Sequence, residues 1–328
     1  MKLHEDKMLF ADIIARAAEH PSQGGLGIPP QFIEKDYWIT NALRNLSESP
    51  YVDYAVFKGC NSLSKAHHIG MRLSDDINIG IIRDKDWNEG KLKSIIHSVE
   101  KSMSRDMTEI SHPQTLKGSS YKQKFYSYPL IQGSWQSKSA GHGQLLFKIN
   151  PNAKLLPYKK LQIRSFVYDY LSMVMGGHLI EEYGLKPFEI NVLNKRTTMT
   201  EEVETLIRFS LAKNPLQELE TKICYFYDLY YLIQDSECQE YLYSVDFKNN
   251  LKELLKQDRI LFDNPLGWRN KSITDSPLIS DFKGLWKELR KRYESELPPL
   301  AYSLTIPPAD EIEKSMNIIL DAIVKPQT

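Results

Sequence analysis

At 328 residues the chain is long enough for two domains, or for one domain with a substantial helical annex. Its hydrophobic fraction of 41% and charged fraction of 26% fall in the ordinary globular range and exclude a disordered or fibrous chain. Forty-two basic residues balance forty-two acidic ones, so net charge gives no argument for a nucleic-acid partner and leaves only a local basic patch to carry one.

The three cysteines, Cys60, Cys224 and Cys238, have neither CxxC nor Cys/His ligand spacing, which argues against a disulfide framework or structural zinc and for a reducing compartment. The opening MKLHEDKMLF carries charges where a signal peptide needs an apolar core, and no run reaches the ~20 apolar residues of a membrane span. A cytoplasmic protein with no membrane association is expected.

In chain order, charged and apolar residues alternate at helical spacing from Lys2 to about Glu19, and SQGGLGIPP breaks that helix. Pro29 and Pro30 open a second helix through FIEKDYWITNALRNL, with Ile33, Tyr37 or Trp38, Leu43 and Leu46 on its apolar side. YAVFKGC reads as a buried strand ending in a glycine turn, and RLSDDINIGIIRD as a second strand with its polar end leading. Helical spacing returns from Trp87 to Met103, after which SSYKQKFYSYPLIQGSW and GQLLFKIN read as two further strands. Beyond Leu161 long helical periods take over: QIRSFVYDYLSMVMGG, TEEVETLIRFSLA, ELETKICYFYDLYYLIQ, FKNNLKELLKQ, FKGLWKELRKRYESEL and ADEIEKSMNIILDAIV. The expectation is a mixed α/β domain over residues 1–155 followed by a helical bundle over 156–328.

Three ordered clusters, EKDYW at 34–38, FKGCNSLSKA at 57–66 and RLSDDINI at 72–79, stand out. Two more follow, KRTTMTEEVETLIRFS at 195–210 and PLQELETKICYFYDLYYL at 215–232. Together they resemble the AbiEii-type nucleotidyltransferase toxins of abortive-infection and type IV toxin–antitoxin systems. The corresponding family patterns are EKDYW, KGGTSLSKA, RFSEDIDL, RTLxEKIxxLxR and KIRHxYDL. The resemblance implies a nucleotidyltransferase-fold mixed sheet, an NTP and Mg²⁺ as cofactors, transfer of a nucleotide to an acceptor such as tRNA, and an antitoxin or another phage-defence protein as partner. It places the nucleotide at Lys58, Gly59, Asn61, Ser62 and Arg72, and the metal at Asp76 and its neighbours. A glycine turn after a strand lets backbone amides approach phosphate, Ser62 adds a hydroxyl, and carboxylates at i and i+2 of a strand share one face, as a pair of Mg²⁺ ions requires.

The departures from the family pattern fall on that centre. The second glycine of the turn is Cys60, the following threonine is Asn61, and the second carboxylate of the strand is Asn78. By offset, the acidic residue of the later strand is Lys148, the lysine of EKI is Glu202, and the Arg-His of the later helix is Cys224-Tyr225, while Asp228 stays. Asp76, Asn78 and Lys148 then offer one negative and one positive group where three carboxylates are expected. This points to a catalytically degenerate centre that works by binding a nucleotide, an RNA or a protein partner. The alternative is a working transferase that uses Asp76 and Asp228 with one metal to modify tRNA or protein. A cysteine after Gly59 adds a Cβ where the backbone would need positive φ. Lys148 and Glu202 read either as unrelated surface residues or as an exchanged ion pair.

Lys122 and Lys124, interleaved with aromatics, read as an RNA-stacking strand or as an ordinary half-exposed one. KELRKRYESEL reads as a solvated helix face, His67 and His68 as a surface pair, and Cys60 as a packed small residue.

Overall fold

A computed structural model describes residues 2–117, 121–131, 143–153, 157–303 and 305–325. The ends of the expected SSYKQKFYSYPLIQGSW strand, at 119–120 and 132–135, lie outside them. The chain divides into two compact units, one of residues 1–68 and 72–193 and the other of residues 69–71 and 194–328.

The first unit is built on a mixed sheet. Its strands are β1 (Ala55–Lys58), β2 (Asp76–Ile82), β3 (Thr108–Ile110), β4 (Leu116–Lys117), β5 (Lys122–Ser127), β6 (Gln144–Ala153), β7 (Tyr158–Ile163) and β8 (Phe188–Leu193). They run in the order β3-β5-β6-β2-β1-β8-β7, with β4 paired to β5. β2 lies antiparallel to β1 and parallel to β6, and β1 is parallel to β8 through Phe57 and Val192. Two of these strands depart from the helical reading of the second half. Residues 158–163 form an edge strand in which exposed Lys160 and Gln162 alternate with Leu161 and Ile163. β8 is a run of Ile190, Val192 and Leu193 buried inside the sheet. The first unit therefore extends to Leu193, well past residue 155.

Among the described residues the sheet is accompanied by the α-helices α1 (Lys7–Ala18), α2 (Pro30–Ser47), α3 (Cys60–Ser62), α4 (Glu89–Met103), α5 (Phe166–Met173) and α6 (Gly177–Glu182). α1 starts where Asp6 accepts the Leu9 amide at 3.1 Å, and it buries Phe10, Ile13, Ile14 and Ala17 at i, i+3, i+4 and i+7. α2 is set going by Pro30 in its first turn. It is buried on nearly every side rather than along one stripe, because α1, α4, α5 and β8 all pack on it. Its polar residues consequently sit in networks. Asp36, 1% exposed, pairs with Lys65 and accepts the Phe166 amide at 2.8 Å, while Lys65 Nζ also donates to the Arg164 carbonyl at 3.0 Å. Burial pushes the Asp36 carboxyl up, against the pull of Lys65. Asn41 and Asn45 donate to Asp106 at 2.8 and 2.9 Å, and Lys2 joins them at 2.6 Å.

The second unit is helical, as the periodicity predicts: α7 (Lys195–Ser210), α8 (Pro215–Glu220), α9 (Ile223–Leu232), α10 (Ser236–Leu242), α11 (Val245–Leu261), α12 (Pro277–Ser280), α13 (Phe282–Glu296) and α14 (Ala309–Val324). Its core is aromatic. Phe226 and Tyr293 both pack on Trp286, at 5.2 and 5.7 Å between ring centres. Tyr293 Oη and Trp286 Nε1 find the carbonyls of Pro307 and Ala309 at 2.7 and 3.2 Å. The charged face of α13 carries the i,i+4 pairs Arg290–Glu294 and Arg292–Glu296, a solvated helix face as read from the sequence.

Two predictions follow from the first unit's polar networks. Lys65→Met leaves Asp36 buried without its cation and should lower stability by about 3–5 kcal/mol in urea unfolding. The Asp36→Leu/Lys65→Met pair should recover most of that loss. For Asp106, burial alone would raise the pKa, but the hydrogen bonds from Lys2, Asn45 and Asn41 bring it down from 3.8 to about 2. Its contribution is complete above the unfolded value of 3.8 and is lost as pH falls through about 2. With solvent screening it should amount to about 1 kcal/mol, read as a gap between the wild type and Asp106→Asn that narrows from pH 5 to pH 2.

Candidate active site

β1 ends at Lys58, which lies in register with Asn78 of β2, and Gly59 then turns the chain into α3 with φ +75°. The positive φ favours glycine here, and a Cβ at this position would also sit 2.7 Å from Asn78 Nδ2 and displace that amide. Cys60 is already the first residue of α3, and the positive φ belongs to Gly59 alone; the backbone strain expected of a cysteine here does not arise. Its side chain is packed inside, as a small residue would be.

Asn61 explains itself once its partners are seen. Its Nδ2 donates to the carbonyls of Ser74 and Asp76 at 2.9 and 2.6 Å, and its Oδ1 accepts the Ser74 amide at 2.9 Å. This 1%-exposed amide thus staples the glycine turn to the segment that enters β2. Ser62 Oγ donates to the Gly59 carbonyl at 2.6 Å, so its hydroxyl closes its own turn rather than reaching outward.

Along β2, Ile77, Ile79 and Ile81 point into the core, and the alternation puts Asp76 and Asn78 together on the opposite face. The parallel ladder to β6 sets Asp76 opposite Leu146 and Asn78 opposite Lys148. Lys148 leans back across the ladder and pairs with Asp76 Oδ2. Burial works against the ammonium charge, but the Asp76 carboxylate outweighs it and the Lys148 pKa is raised. Tyr121 lies within electrostatic reach of both, and burial raises its phenol. Beside them Lys35 of α2 pairs with Asp75. Gly59, Asn61, Asp76, Asn78 and Lys148 are therefore gathered at one place.

Arg72 is buried in the loop before β2. Glu202 and Asp228, both buried, belong to α7 and α9 of the second unit. The exchange reading gave Lys148 a partner at Glu202; the partner it has in the sheet is Asp76. Of the alternatives for β5, Lys124 forms ion pairs with Glu100 and Glu109, both at 2.7 Å, and Lys122 with Glu100, which is the arrangement of an ordinary half-exposed strand. His67 Nε2 donates to the Leu193 carbonyl, 2.8 Å away, and only His68, at φ 57°, is a plain surface residue. Sequence reasoning missed the stapling role of Asn61, the Lys35–Asp75 pair and Tyr121. The two pairs joining EKDYW to the other clusters were discoverable as opposite charges in adjacent motifs.

Asn61→Ala should cost about 2–4 kcal/mol, because three hydrogen bonds made by a buried side chain are lost at once. Amide exchange at Ser74 should accelerate in step. A loss under ~0.5 kcal/mol would mean that the turn is held by other groups.

Among solved structures the chain is similar to MenT4, a nucleotidyltransferase toxin from Mycobacterium tuberculosis, at 13% identity and a TM-score of 0.49 over 94% of this chain and 98% of that one. It is also similar to JHP933 from Helicobacter pylori, at 11% identity and a TM-score of 0.36 over 88% and 91%. No curated protein matches it. The family model described as nucleotidyl transferase AbiEii toxin, type IV TA system, matches residues 41–314, which takes in the glycine turn, β2, β6 and most of the helical unit. The chain belongs to the AbiEii nucleotidyltransferase toxin family.

Proposed function

We propose that this chain is a toxin–antitoxin component in which the Lys148–Asp76 ion pair stands in for the metal-binding charge of a nucleotidyltransferase, and that it acts by binding a nucleotide, an RNA or a protein partner. The observation that carries this reading is the Lys148 ammonium on Asp76 Oδ2. Nucleotidyl transfer relies on an NTP and divalent ions held by carboxylates. In this unit the donor set is one carboxylate already engaged by an ammonium, one amide and one lysine, and it does not fit a pair of divalent ions. At an effective dielectric of ~20, a unit positive charge ~4 Å from a divalent ion is repelled by roughly 8 kcal/mol, more than a single carbonyl ligand from Asn78 returns. Among the described residues no group of three or more His, Cys, Asp and Glu is arranged to hold a metal.

The family's type IV toxin–antitoxin assignment supports an antitoxin as the partner, and a role in phage defence in the bacterial cytoplasm accords with it. Among the described residues no helix is long and apolar enough to cross a membrane.

Incubation with each α-³²P-labelled NTP, tRNA and Mg²⁺ or Mn²⁺ should give no transferred nucleotide. Asn78→Asp/Lys148→Glu should raise Mn²⁺ affinity by about tenfold or more in calorimetry, since it replaces a repelling charge with two carboxylates. Robust transfer by the unmodified protein that Asp76→Asn abolishes would overturn the proposal in favour of a working enzyme.

A further inference from the structure

The chain is neutral overall, yet the helix α4 and the turn after it sort their charges by side. Of the carboxylates between 89 and 106, Glu89 pairs with Arg83, buried Glu100 is held from inside by Lys122, Lys124 and Tyr126, and Asp106 is turned to Lys2, Asn41 and Asn45. The cations go outward. Lys93, His97 and Lys101 recur every four residues on exposed positions, about 6 Å apart along the helix, and Arg105 follows in the turn. Ser94, Ser98 and Ser102 form the neighbouring row. A contact of the His97 imidazole Nδ1 with Glu100 at 3.7 Å is the one carboxylate contact found for these four side chains among the described residues. The surface here is concave, with a groove of about 640 Å³ lined by His97, Ser98, Lys101, Ser102 and Arg105 and walled by the half-buried ring of Tyr51.

We propose that this groove binds the phosphodiester backbone of single-stranded nucleic acid. Regularly spaced cations unmatched by outward carboxylates suit a chain with one negative charge per nucleotide. Ser98 supplies an uncharged hydroxyl to phosphate oxygens, while Ser102 Oγ donates to the Ser98 carbonyl at 2.8 Å and can only accept, and Tyr51 offers a face on which a base stacks, a contact that a paired base cannot make. An acidic protein segment would use the cations and the Ser98 hydroxyl, but it would leave the aromatic wall without a stacking partner. The groove contains none of Gly59, Asp76, Asn78 or Lys148, so it stands whether or not the ion pair at Asp76 replaces a metal.

The test is fluorescence anisotropy of the full chain with a labelled twelve-nucleotide single-stranded RNA, and with the DNA of the same sequence, across a salt series. Lys101→Gln/Arg105→Gln should weaken binding at low salt by about tenfold or more and flatten the log–log salt slope by about 1.4, the value for two lost phosphate contacts on a single strand. Tyr51→Leu should weaken it without changing the slope. Lys287→Gln/Lys291→Gln, an equal charge loss on exposed positions of α13, should leave binding unchanged. Equal weakening by the α13 variant, an unaltered slope in the α4 variant, or binding to phosphatidylserine vesicles but to neither oligonucleotide would overturn the proposal. Retention of RNA and DNA alike identifies the backbone as the shared ligand, and loss of DNA alone adds the 2′-hydroxyl to what the groove reads.

Discussion

The first unit hangs on one buried charge. Asp36 sits in the middle of α2, out of water, and its two oxygens hold Lys65 from the segment after the glycine turn and the backbone amide that starts α5. Three stretches far apart in the chain thus meet at one carboxylate. An ion pair so deeply buried contributes little net stability, because desolvation offsets most of the attraction. Its effect is selective: any arrangement that separates the two side chains leaves a bare charge in the core. That penalty fixes where the helix after Gly59 lies, and with it the turn, the Asn61 staple and the entry of β2.

The same electrostatics gives a different result a few residues away. Asp36 and Lys65 are sealed, whereas Asp76 and Lys148 remain partly open to solvent, at 26% and 29% side-chain exposure. A half-exposed pair is weak and exchangeable. Asp76 therefore stays within reach of solvent, while Lys148 sets the local field close to neutral. An anion meeting this face is drawn by the ammonium and faces a carboxylate already occupied. A cation meets the reverse. Two pairs made of the same residue types thus do separate jobs, one selecting the fold and one setting the character of the face.

Much of this was legible in the sequence, and the limits have physical causes. The strands at 55–58 and 76–82 and the helices at 30–47 and 89–103 declare themselves through proline, glycine and period. The parallel ladder of β2 and β6 brings Lys148 opposite Asn78. β8 escaped notice because its alternation, Phe188, Ile190 and Val192 against Glu189 and Asn191, lasts only six residues and the long helical periods around it dominate. β7 escaped because an edge strand rich in lysine resembles a solvated helix. The partners of Asn61 and Lys148 were out of reach for another reason. A side chain's hydrogen bonds depend on which backbone groups a turn leaves unpaired, and the residue string does not record that.

The pairing of Phe57 with Val192 bears on how the molecule comes into being. As the chain leaves the ribosome, β1 emerges early, and its neighbour on one side cannot exist until residue 192 has been made. Parallel, long-range pairings of this kind form slowly, since much chain must be ordered before any contact rewards it. Through that interval one flank of β1 stays open, with a row of unpaired amides and carbonyls beside apolar Val56 and Phe57, the sort of edge that recruits foreign strands. A nascent chain stopped before β8 is accordingly an aggregation hazard to itself, and completion of the sheet coincides with arrival of the first helix of the second unit.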